Sequence, residues 1–188
     1  MDAKALKDEG LKLYRDGRYE EAAAKFAEAQ SAFVAAGDQK EAAECVNNRG
    51  VCFRQAAKFD EATAAFSEAR PMFQALNDPL SEGQVVGNLA KLAESQGDKA
   101  KAAELYHESI ELLDKAGAKD LVKDVYTSLS KLKLSQRDVV GAMTAFDAGL
   151  EQLDHPNLIE RMARKIIGGG SKKVEESSKP EDSKKLEE

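Results

Sequence analysis

A repeat of 40 residues runs through the first 157 positions of this chain. Gly10, Gly50, Ala90 and Ser130 form one column of small residues, and Ala22, Ala62, Ala102 and Ala142 form another. Phe26, Phe66, Tyr106 and Phe146 form an aromatic column, followed by small residues at Ala29, Ala69, Ser109 and Gly149. Phe33, Phe73, Leu113 and Leu153 add large apolar groups, and Gly37, Asn77, Gly117 and Asn157 mark the end of each unit. The chain has 4 tyrosines, 7 phenylalanines and no tryptophan, and eight of these rings fall in three columns, the third holding Tyr19 and Phe59. A single unit of this kind cannot bury its apolar faces alone, whereas four stacked units share a continuous core.

Each unit reads as two helices. In the first unit Leu6, Leu13 and Tyr14 keep helical spacing up to a break at Asp16-Gly17-Arg18. A second helix begins near Tyr19, and Ala22, Ala23, Phe26, Ala29, Ala32 and Phe33 lie in steps of three and four along one face. Gly37 supplies a left-handed residue to end it. Asp38 is an N-cap for the next helix, with Glu41 placed for a capping box. Asp78-Pro79 repeats the start signal, with proline at the first helical position. The small columns allow helices to approach closely, and the aromatic column fills the space beside them. Pro71 falls inside the second helix of unit two, where its missing donor predicts a kink or a shortened helix.

The expected fold is an all-α solenoid of four helix–turn–helix units, at about 1–37, 38–77, 78–117 and 118–157. Leu158, Ile159, Met162 and Ile166 share a face over 158–167, which predicts a capping helix that Gly168-Gly169-Gly170 stops. Residues 168–188 hold Gly, Ser, Lys and Glu with little apolar content, which predicts a disordered tail.

Composition excludes several functions. The apolar share is 42%, yet no stretch approaches the roughly 20 apolar residues that cross a bilayer. The start, Met1-Asp2-Ala3-Lys4, has no hydrophobic run behind it, so a cytoplasmic protein without membrane association is expected. The net charge of −6 argues against nucleic acid as the partner. Cys45 and Cys52 fall on one helix about 10 Å apart, too far for a disulfide, and are expected to be buried and reduced. The two histidines, His107 and His155, belong to no metal or catalytic motif, and no phosphate-binding glycine loop is present. Carboxylates alternate with lysines as on solvated helix faces. No enzyme activity, cofactor or metal is expected.

The columns resemble the tetratricopeptide repeat (TPR), whose pattern appears as Gly10, Tyr14, Gly17, Tyr19, Ala22, Phe26 and Ala29, and again as Ala90, Gly97-Asp98, Ala102, Tyr106 and Ser109. The usual unit has 34 residues; the 40-residue form is similar to kinesin light chains and Leu-Gly-Asn-type adaptors. The resemblance covers residues 3–157. It implies a right-handed superhelix that acts as a protein-interaction scaffold or adaptor, with ligands along the concave face of the first helix of each unit. Carried over by position, that groove comprises Lys7, Leu11 and Arg15; Asn47, Asn48, Val51 and Arg54; Gln84, Asn88 and Lys91; and Lys131.

Asn48 and Asn88 share a column one repeat apart, which Asp8 and Ser128 break at its two ends. An asparagine amide donates and accepts, so such a row can hold the backbone of an extended peptide. The carboxylate clamp of chaperone-tail binders is matched only at Lys7 and Asn48; Leu11, Gln84 and Asn88 depart from it. Lys7, Arg15, Arg54, Lys91 and Lys131 suit a protein or peptide carrying acidic groups. A monomer or weak oligomer is expected. The competing expectation is a structural subunit of a larger complex, docking through its convex face, its ends, or apolar residues near Met72 and the capping helix.

Overall fold

A computed structural model describes residues 2–152. Its eight helices are α1 (Ala3–Arg15), α2 (Tyr19–Ala35), α3 (Gln39–Gln55), α4 (Phe59–Ala75), α5 (Pro79–Ser95), α6 (Lys99–Lys115), α7 (Lys119–Ser135) and α8 (Val139–Glu151). They stack in sequence order, each helix packing on the next. The predicted capping helix, the tail, His155 and the terminal column members Leu153 and Asn157 lie outside the described residues. The described part is an all-α repeat solenoid.

The rhythm comes from the turns. Each inter-helix turn holds one residue at positive φ: Gly17 (76°), Gly37 (80°), Ala57 (57°), Asn77 (52°), Gly97 (84°), Gly117 (69°) and Arg137 (63°). In the first turn the Arg18 N–H donates to the Leu13 carbonyl at 2.9 Å and the Gly17 N–H to that of Tyr14 at 3.1 Å. This pairing satisfies carbonyls at the helix end that have no partner within the helix, and it recurs at later turns. Four aspartates then start the next helix. Asp38, Asp78, Asp98 and Asp138 accept from the backbone N–H of Glu41, Ser81, Lys101 and Gly141 at 2.8–3.1 Å. The side chain of Glu41 turns to Lys7 instead of closing a capping box.

The small and aromatic columns meet. A Cβ on Gly10 would lie 3.0 Å from the Phe26 ring, and one on Gly50 would lie 2.6 Å from that of Phe66. Phe26, Phe66 and Tyr106 are buried, while Phe146, on the last described helix, is half-buried. Helix α4 runs through Pro71 with the same 17 residues as its neighbours, so the expected shortening does not occur. Both Pro71 and Ser67, whose carbonyl loses its donor, are exposed, so water can replace the missing bond.

Polar pairs tie adjacent units together along the array. Lys58 meets Glu20 at 2.8 Å, Lys40 meets Asp78 at 2.8 Å, and Gln30 donates to Glu68 at 3.0 Å. Arg70 holds both Glu82, at 3.2 Å, and Glu108. Cys45 and Cys52 are buried free thiols on α3. Burial pushes their pKa values up to about 11 and about 12.

Candidate protein-binding groove

The first helices of units two to four, α3, α5 and α7, border a groove with a cavity of about 380 Å³. Helix α3 contributes Asn47, Asn48 and Val51, and α5 contributes Gly83, Gln84, Gly87, Asn88 and Lys91. Helix α7 adds Leu121, Asp124, Val125 and Ser128. Below them α6 forms a floor of Tyr106, Ser109 and Leu113, all buried.

The floor lies beside the groove because α5 sits low on α6. A Cβ on Gly83 would come within 2.8 Å of the Leu113 side chain, and one on Gly87 within 3.1 Å of Ser109 Oγ. The Ser109 hydroxyl donates to the Gly83 carbonyl at 2.7 Å in the buried contact. Gly83 and Gly87 are spaced four apart on one helix face, which is the signal by which close packing could have been read from the sequence. The corresponding positions of the second unit hold Ala43 and Asn47, and those of the fourth hold Lys123 and Thr127.

Six of the sequence-derived groove residues meet in this cavity: Asn47, Asn48, Val51, Gln84, Asn88 and Lys91. The asparagines are not equivalent. Asn88 Nδ2 donates to Asn47 Oδ1 at 3.0 Å, a bond that links α3 to α5 and fixes both amides. Asn48 has no hydrogen-bond partner among the described residues and keeps its full capacity. Arg54 lies outside the cavity lining, with its Nε buried and unpartnered. The Tyr106 hydroxyl donates to Glu94, and burial together with that carboxylate holds the phenol well above its usual pKa.

The remaining expected residues stand apart from the cavity. Lys7 Nζ lies 2.5 Å from Glu41 and 2.6 Å from Glu44, so its charge bridges units one and two. Burial lowers its pKa, the hydrogen bonds to both carboxylates raise it, and the net shift is upward. Leu11 is half-buried and packs on the core of the first unit. Arg15 and Lys131 are exposed near the ends of α1 and α7. Met72 is half-buried between core clusters, while nearby Leu76, at the end of α4, is 39% exposed. Among the described residues no group of histidine, cysteine, aspartate and glutamate could hold a metal ion, and no helix is long and apolar enough to cross a membrane.

The fold is shared with solved TPR-like structures. The chain is similar to BtubC (BKLC) from P. vanneervenii, with TM-score 0.68, 18% identity, 99% of this chain covered and 69% of the other. It is also similar to a Podosopora anserina putative kinesin light chain with nearly identical TPR-like repeats, with TM-score 0.67, 11% identity and coverage of 94% and 92%. No curated protein matches the sequence significantly. The sequence profile of the soluble NSF attachment protein (SNAP) family matches residues 2–160, spanning all eight helices, and the chain belongs to that family.

Proposed function

We propose that this protein is a non-enzymatic adaptor that holds an extended segment of a partner protein in the groove of α3, α5 and α7. TPR-like folds mediate protein–protein interactions, and the family name points to attachment of one protein to another. The observation that carries the reading is the cavity itself: amides of Asn48, Gln84 and Asn88 from neighbouring units face a single space with apolar walls. Asn48 can donate to a backbone carbonyl and accept from a backbone N–H. Lys91 lines the cavity and has no ion-pair partner among the described residues, which favours a segment with acidic groups. The family name makes an NSF-like ATPase the first partner to test.

The test is capture of partners from a lysate of the source cells by the intact chain, beside an Asn48→Ala, Asn88→Ala variant of equal helicity. A partner retained by the parent and lost by the variant supports the groove. The same partners on both would remove the groove from the account.

A second reading is a structural subunit that docks through an end of the array. Leu134, Val139 and Val140 favour it, because these large apolar residues are 54%, 56% and 61% exposed around the α7–α8 turn. Val139→Ser with Val140→Ser would then abolish capture and leave the groove variant active.

A further inference from the structure

We infer that the groove contains a seat for one aliphatic side chain of a bound peptide, with a rim that selects an acidic residue beside it. The inference rests on the groove reading and specifies the segment that the groove accepts. Val51 on α3 and Leu121 and Val125 on α7 are half-buried and line the same cavity, although their helices belong to units two and four. Between them α5 packs Gly83 and Gly87 onto Leu113 and Ser109 of α6, so the α5 backbone and the α6 floor line the same cavity. Apolar walls from two helices therefore enclose a space with Leu113 at its base.

The lining decides the occupant. The walls are branched aliphatics, and the one aromatic ring at the floor, Tyr106, is 1% exposed, so no aromatic face is available for stacking. Asn48, Gln84 and Asn88 on the rim match the alternating donors and acceptors of a peptide backbone, which an acyl chain lacks. The volume of about 380 Å³ suits a side chain and its flanking backbone. Lys91 on the α5 rim has no ion-pair partner among the described residues, while Asp124 stands on the α7 rim. A carboxylate next to the anchor is thus favoured on the α5 side and repelled on the α7 side.

The experiment selects a display library of random dodecapeptides on the full-length protein. Dissociation constants of fluorescein-labelled winners are then measured by anisotropy. Four variants are compared after their helicity is checked: Val125→Gln, Val51→Gln on the opposite wall, Asn48→Ala with Asn88→Ala, and Lys91→Gln. The expected winners share one Leu, Ile or Val next to an Asp or Glu. Changing that aliphatic residue to Ser, or making either wall variant, weakens binding roughly 10- to 100-fold, as burial of such a side chain requires. Lys91→Gln removes the acidic preference and leaves the aliphatic one. Winners that lose binding with the asparagine variant, yet show no aliphatic position or ignore both wall variants, overturn the seat and leave the groove standing. Binding that ignores the asparagine and wall variants alike, or a library with no winner, overturns both.

Discussion

At Ala57 and Arg137 the backbone takes positive φ without glycine, at 57° and 63°. A left-handed conformation costs a residue with a Cβ about 1–2 kcal/mol. Ala57→Gly should therefore raise stability by about 1 kcal/mol and the melting temperature by about 2–4 °C, measured by thermal denaturation. Glycines at 17, 37, 97 and 117 announce their turns in the sequence, whereas Ala57 and Arg137 carry no such mark and their role follows only from position in the repeat. Gly50 presents the opposite case. A Cβ there would lie 2.6 Å from the Phe66 ring, and overpacking of this kind costs about 1–3 kcal/mol against a helix-propensity gain of about 1 kcal/mol. Gly50→Ala should lower stability in chemical denaturation, and Gly10→Ala should be closer to neutral because its contact is 3.0 Å. The thiols add a pH dependence. Cys45 and Cys52 rise from an ordinary 9.0 to about 11 and about 12. Groups raised on folding contribute stability that is complete below their unfolded pKa and lost as pH climbs through the folded one. Lys7, raised above 10.5, acts in the same direction. Stability should hold up to about pH 9 and fall from there to about pH 12, as equilibrium unfolding across that range would show.

Helix ends were the most readable elements. Asp38 and Asp78 occupy the cap positions their sequence context indicates, and Pro79 opens α5. Asp138 was concealed by the irregular fourth unit, where Arg137 replaces the expected glycine. Asp78→Ala removes the bond to the Ser81 N–H and the ion pair with Lys40, and should destabilise the fold by about 1 kcal/mol in urea unfolding. The contacts between units were not legible. Lys58 with Glu20 and Arg70 with Glu108 depend on the register in which one unit stacks on the next, which a one-dimensional period leaves open. The same limit hid the commitment of Lys7 to Glu41 and Glu44. Pro71 taught a different lesson: its effect on a helix depends on whether water reaches the carbonyl it leaves unpaired.

Across the whole array, the 40-residue period implied a stack of helix pairs, and the resemblance to TPR proteins implied a groove along the first helix of each. Six of the residues carried over by position line one cavity. The period did not reveal the depth of that cavity, which arises from α5 approaching α6 through Gly83 and Gly87. Nor did it show that Asn88 bonds Asn47 across units while Asn48 is left free. If an acidic segment binds beside the exposed Lys91, its affinity should fall as salt rises, because added ions screen the attraction between solvent-exposed charges. The most direct test of the groove is hydroxyl-radical footprinting of the chain with and without its captured partner. The account predicts that oxidation of Val51, Leu121 and Val125 drops on binding while that of Val34, Leu134, Val139 and Val140 is unchanged. Protection of Leu134, Val139 and Val140 with the groove residues unaffected would contradict it.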